Sequence, residues 1–165
     1  MKKIMTLLLA GATLLTIPAA SLSQDSSATT ATLLEQYYNI KDALVNSNAK
    51  SAANAAKQIS TVLKKLPDNK SGMNQAANAN ALQQKIQADA NTIAGSLDLV
   101  KQRAAFQALS ESVITLIKTQ RQLKPAYIKY CPMKKAYWIS SFEQIKNPYY
   151  GSSMLTCGNI SETLK

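Results

Sequence analysis

Cys131-Pro132-Met133 and Met154-Leu155-Thr156-Cys157 gather both cysteines of the chain, each with a methionine, into two short segments. Two chemistries are open to them. Thiolates and thioethers are soft ligands that select Cu(I) over harder cations, so the four sulfurs of Cys131, Met133, Met154 and Cys157 suit a soft-metal site. Two thiolates on one Cu(I) leave a net negative charge, which Lys134 and Lys135 can offset while lowering the thiol pKa. In an exported chain, however, paired cysteines form a disulfide by default, and a Cys131–Cys157 bridge would stabilise a loop-rich region by about 3 to 4 kcal/mol. Pro132 restricts the backbone on both of its sides. A turn at Gly151 can return the second segment to the first.

Other chemistries are closed. The chain has no histidine, which excludes Ser-His-Asp and Cys-His nucleophilic catalysis and every imidazole metal site. It has only 5 glycines and no Gly-rich phosphate loop. The expectation is a protein that is not an enzyme. Without histidine or a carboxylate cluster, zinc is a poorer match than Cu(I).

Lys2 and Lys3 precede an uncharged apolar run from Ile4 to Ile17, then Pro18 and the small residues Ala19, Ala20, Ser21 and Ser23. That order is a cleavable export signal over residues 1–23, cut after Ser21 or Ser23. No cysteine stands there to carry a lipid anchor. The run is shorter than the 18 or so apolar residues that span a bilayer, so a periplasmic protein without a transmembrane segment after cleavage is expected. The remaining length fits one domain with one core. With 19 basic and 9 acidic residues the chain has a formal net charge of +10. Its lysines are scattered without a dense run, as on a solvated basic surface, and nucleic acid is not an expected partner.

The elements follow from periodicity. Ser26 to Ala31 is a Ser/Thr/Ala stretch with no apolar period, and residues 24–31 are expected to be a flexible lead-in to a domain over 32–165. Thr32-Leu33-Leu34-Glu35 has the form of a capping box, and Leu33, Tyr37, Ile40 and Leu44 share a helical face until Asn46-Ser47-Asn48 closes the helix. A second helix is predicted from Ala49 to Leu66, with Ala52, Ala56, Ile59, Leu63 and Leu66 inward, Lys50, Lys57 and Lys64 outward, and Pro67 as its stop. Asp68 to Gly72 is turn chemistry. A third helix, Asn78 to Ala94, carries Leu82, Ile86, Ala90 and Ile93. A fourth, Asp98 to Leu123, carries Phe106, Leu109, Val113, Leu116 and Ile117. The fold class is therefore mostly α, an antiparallel up-and-down four-helix bundle over 32–124. Beyond Pro125 a C-terminal aromatic-rich irregular lobe, 125–165, holds Tyr127, Tyr130, Tyr137, Trp138, Phe142, Tyr149 and Tyr150. Short β-strands fit Tyr127-Ile128-Lys129-Tyr130 and Ala136-Tyr137-Trp138-Ile139. Tyr137, Trp138, Tyr149 and Tyr150 are either core or interface anchors.

The lobe resembles a known family. Cys131-Pro132-Met133, Ala136-Tyr137-Trp138, Ser140, Ile145, Asn147-Pro148-Tyr149, Gly151, Met154-Leu155 and Cys157-Gly158 are similar to the C-terminal signature of an exported bacterial family, domain of unknown function 3347. Ile40-Lys41-Asp42-Ala43-Leu44-Val45, Gln102-Arg103, Phe106 and Leu109-Ser110 agree more loosely. The resemblance spans about residues 33 to 162 and implies a periplasmic protein associated with adaptor subunits of copper and silver efflux systems. By matched position, it makes Cys131, Met133, Met154 and Cys157 the candidate ligands of Cu(I) or another soft ion. The sequence differs from the family between Met133 and Ala136, where Lys134 and Lys135 stand in place of a longer, glycine-containing connection. The expected function is soft-metal buffering or delivery to a heavy-metal efflux component; the alternative is an envelope interaction module stapled by a disulfide.

Overall fold

The structure is a computed structural model that describes residues 21–65, 73–119 and 126–164. The apolar run of the expected export signal, the predicted Pro67 stop and the predicted turn from Asp68 to Gly72 lie outside the described residues, as do Leu66, Leu123 and Pro125. Among the described residues are four helices, α1 (Ser21–Val45), α2 (Ala49–Leu63), α3 (Met73–Ala94) and α4 (Leu99–Lys118), then strands β1 (Ala126–Cys131), β2 (Ala136–Ser140) and β3 (Asn159–Leu164). A single 3₁₀ turn, Gly151–Met154, precedes β3.

The predicted stripes form the core. Leu33, Tyr37, Ile40 and Leu44 of α1 are fully buried, as are Ile59 of α2, Ile86 and Ile93 of α3, and Phe106, Leu109 and Val113 of α4. Each helix packs on the next in sequence, and α4 also contacts α1 and α2. Ala52, Ala53 and Ala56 are the buried residues of the first half of α2, with Lys50 and Lys57 on its outer face.

The first helix corrects the sequence reading. Thr32 is no N-cap and residues 24–31 are no loose lead-in, because α1 starts at Ser21. The stretch from Ser21 to Val45 contains neither Gly nor Pro, so nothing in it breaks a helix. The Thr32 hydroxyl donates 3.0 Å to the carbonyl of Ala28 one turn back, the bond of a threonine inside a helix. The third helix likewise starts earlier than its stripe, at Met73.

Caps set the inter-helix turns. Ser47 takes a left-handed φ of 53°, and the Asn48 side chain accepts from Ser51 N–H at 3.0 Å to start α2. Asp98 accepts from Val100 N–H at 2.8 Å to start α4. The Gln102 amide then donates to the carbonyls of Ala49 (2.8 Å), Ile93 (3.2 Å) and Ser96 (2.7 Å), tying α4 to the start of α2 and the end of α3.

The three strands form one antiparallel sheet in the order β2-β1-β3. Cys131 pairs with Ala136 across a tight connection in which Lys135 holds a φ of 53°. Lysine thus occupies a left-handed position that glycine adopts more readily. β3 was not foreseen. Its residues are exposed almost throughout, so its pattern is polar, and it exists because it pairs with β1, with a register irregularity between Ile128 and Lys129.

Tyr37 fastens the lobe to the helices. Its buried hydroxyl shares a 2.8 Å hydrogen bond with Ser110 Oγ on α4 and accepts from Ile139 N–H on β2 at 3.1 Å. Its ring stacks on Phe106 with centroids 5.1 Å apart, and Phe106 meets Tyr149 at 5.9 Å. A Tyr37→Phe variant keeps the ring and removes the hydroxyl. It is expected to lose about 1–2 kcal/mol, read from urea or thermal unfolding.

Candidate functional site

Antiparallel pairing places Cys131 at the end of the central strand. Cys157 comes back to it after the 3₁₀ turn, with its N–H donating to Met154 O at 3.1 Å. The two Sγ atoms lie 3.8 Å apart, in contact but well beyond the bond length of about 2.05 Å of a disulfide. Both are thiols. Cys131 is completely buried and Cys157 is half-buried.

The methionines are placed differently. Met133 is 63% exposed, and its backbone N–H acts on the Cys157 thiol only as a small influence that lowers its pKa. Met154 is half-buried and accepts from Cys157 N–H through its carbonyl. The structure thus joins the two thiols directly and links Met154 to Cys157 through its carbonyl, while Met133 stands exposed. Among the described residues there is no group of three or more His, Cys, Asp or Glu that could hold a metal ion.

Lysines near the thiols were expected to lower their pKa. The Cys157 thiol is instead pushed up, by desolvation first and then by its hydrogen bond to Cys131. Lys134 and Lys135 do not figure among the causes. A dithiol whose more accessible member favours its protonated form gives up protons when a thiophile binds.

Asn147 organises the site, although Asn147-Pro148 reads in sequence only as a turn. Its side chain is fully buried. The amide donates to Cys131 Sγ at 3.2 Å and to Cys157 O at 2.7 Å, while Oδ1 accepts from the N–H groups of Tyr149 (2.8 Å) and Tyr150 (3.3 Å). Its backbone N–H donates to Leu155 O at 2.8 Å, and its carbonyl accepts from Gly151 N–H at 3.1 Å. Every polar group of the residue is used to hold the two cysteine segments and the turn between them.

That turn is bound to the helices by Arg103, which donates to Pro148 O (3.1 Å), Leu44 O (3.0 Å) and Ser47 Oγ (3.1 Å). Gly151, at φ +58°, lies so close that a Cβ there would stand 2.7 Å from the guanidinium and 3.0 Å from Val45 O. Gly158 is similarly confined: a Cβ on it would be 2.7 Å from the Trp138 ring. Trp138 and Tyr149 are buried and meet edge to face at 6.1 Å. These two aromatics are therefore core, and the interface reading retains only Tyr137, which is 41% exposed, and half-buried Tyr150.

Residues 33–124 match the family model described as Protein of unknown function (DUF3347). The chain belongs to that family. The match covers most of α1 and all of α2, α3 and α4, and it ends before β1, so the cysteine segments lie outside it. Within it fall Gln102, Arg103, Phe106 and Ser110, the residues through which α4 holds the other helices and the lobe. Neither a curated protein nor a solved structure matches the chain. No helix among the described residues is long and apolar enough to cross a membrane.

Lys129 is a second buried polar residue that its strand-like surroundings concealed. It is two positions from Cys131 on the same face of β1 and fully buried, and its ammonium donates to Phe142 O (2.7 Å) and Gln144 O (2.6 Å). Desolvation, with Lys41 as a nearby like charge, lowers its pKa to about 8, against a smaller opposing effect of Glu143.

Two outcomes follow from this network. Asn147→Leu leaves buried N–H groups without acceptors and is expected to cost about 3 kcal/mol in chemical denaturation. Lys129 binds its proton less tightly folded than unfolded, so its charge is a full cost below pH 8 and is relieved as pH rises toward its ordinary value of 10.5. Stability should climb from pH 8 to about pH 10. Above that it should fall, because burial raises the pKa of Tyr37, Tyr38 and Tyr149 and favours their neutral folded forms. Lys129→Met should abolish the climb in unfolding curves measured across that range and leave the fall.

Proposed function

We propose that the protein is a non-enzymatic periplasmic carrier, exported by its N-terminal signal, that takes up Cu(I) or a similar soft ion at Cys131 and Cys157. It would buffer the ion or hand it to a heavy-metal efflux component of the envelope. The observation that carries this reading is the pair of thiols 3.8 Å apart, with the Asn147 amide donating to Cys131. Two thiolates bound to one ion at about 2.3 Å are this far apart when the angle at the ion is about 110°. Met133 or Met154 would supply a thioether as a further soft donor. The donor set favours a soft monovalent ion over zinc, which takes four ligands in its structural sites. On this reading the helices form an antiparallel up-and-down bundle that serves as a rigid mount for the lobe.

A second reading rests on the same contact: oxidation of the pair would staple the lobe of an envelope interaction module, with Tyr137 and Tyr150 facing a partner. The two are separated by titrating the reduced protein against a competing Cu(I) chelator. The carrier reading expects one ion per chain, affinity that rises with pH as thiol protons are released, and loss of binding in a Cys131→Ser, Cys157→Ser double variant. Asn147→Leu should weaken binding about tenfold, as removal of a residue that orients a ligand does. Unchanged affinity in the double variant would remove the cysteines from metal handling.

A further inference from the structure

The two thiols are unequal in access. Cys131 is sealed, its sulfur held between the Asn147 amide and Cys157. Cys157 is half-buried, and Leu155, Thr156 and Met133 beside it are exposed. Thiol–disulfide exchange needs a thiolate to reach the sulfur it attacks, so access decides which cysteine reacts first.

We propose that the pair is a thiol–disulfide exchange site of fixed polarity, in which Cys157 is the entry thiol, Cys131 the resolving thiol, and the substrate a small solvent-borne disulfide of the glutathione type. Cys157 gives its proton to solvent and attacks one sulfur of R–S–S–R. The Cys157–S–R bond forms, the R–S–S–R bond breaks, and RS⁻ departs to be protonated. Cys131 then loses its proton and attacks Cys157 Sγ from 3.8 Å. The Cys131–Cys157 bond forms and the second RS⁻ leaves. Two protein thiols have been oxidised by two electrons, and one disulfide has been reduced to two thiols. The Asn147 amide is a donor for Cys131 in its moment as thiolate. The elevated pKa of Cys157 slows its attack without redirecting it, since Cys131 has no route to solvent of its own. The site rests on the same reduced pair as the carrier reading, but it requires no metal.

The test uses metal-free, reduced protein. Substoichiometric iodoacetamide followed by peptide mapping should place about ten times more label on Cys157 than on Cys131. With oxidised glutathione, intact mass should show the wild type losing two hydrogens with no adduct accumulating. Cys131→Ser should accumulate one glutathione adduct at Cys157, and Cys157→Ser should stay unmodified. Equal labelling of the two wild-type cysteines, or an adduct forming on Cys157→Ser as fast as on Cys131→Ser, would overturn the polarity. The labelling arm needs no variant, so it decides the matter even where a substitution impairs folding. Chelator titration reads the carrier reading separately: ordered labelling without Cu(I) binding removes only the metal, and Cu(I) binding with equal labelling removes only the polarity.

Discussion

Asn147 is a small residue at the centre of a large set of obligations. Its amide satisfies a thiol, a carbonyl and two backbone N–H groups that would otherwise be buried without partners. Leaving even one such group unpaired costs about 1–3 kcal/mol, so the turn from Pro148 to Leu155 has little freedom to sit anywhere else. The closeness of the two sulfurs is therefore imposed from beside them. Neither cysteine needs a covalent bond or an ion to be held near the other, which allows the site to stay assembled while its chemical state changes.

The same turn is held from below by the helices. Arg103 grips Pro148 and the end of α1 together, and Gly151 fits against it where no side chain could. Tyr37 joins α1, α4 and β2 through one hydroxyl. Among the described residues the lobe has three short strands and one 3₁₀ turn, and a sheet that small is marginal alone. Its order is borrowed from the helical core through a few polar bonds and the aromatic chain Tyr37, Phe106, Tyr149 and Trp138. The family match falls on the helical residues that make this connection.

The helices were legible because their information is periodic. Leu33, Tyr37, Ile40 and Leu44 are buried as their spacing demands. The start of α1 was not, since a threonine three residues before a glutamate can cap a helix or continue one, and only the backbone decides. β3 was invisible because an exposed edge strand needs no apolar alternation of its own. At the site, composition pointed to the cysteines, and the turn residues around Gly151 indicated the return of the chain. Composition could not tell thiol contact from thioether contact: the two Sγ atoms meet at 3.8 Å, while Met133 is largely exposed. Asn147 and Lys129 escaped for a common reason: asparagine beside proline signals a turn, and lysine in a strand signals solvent, yet both are buried with their bonds made.

The closeness of Gly158 to Trp138 has an optical consequence. This is the chain's single tryptophan, fully buried, with an indole nitrogen that has no hydrogen-bond partner among the described residues. An indole in such dry surroundings emits toward the blue, and its ring is touched by the residue directly after Cys157. Any event that shifts the backbone at Cys157 also shifts the wall of the fluorophore's cage. The molecule thus carries its own intrinsic reporter, one residue along the chain from the sulfur it would monitor.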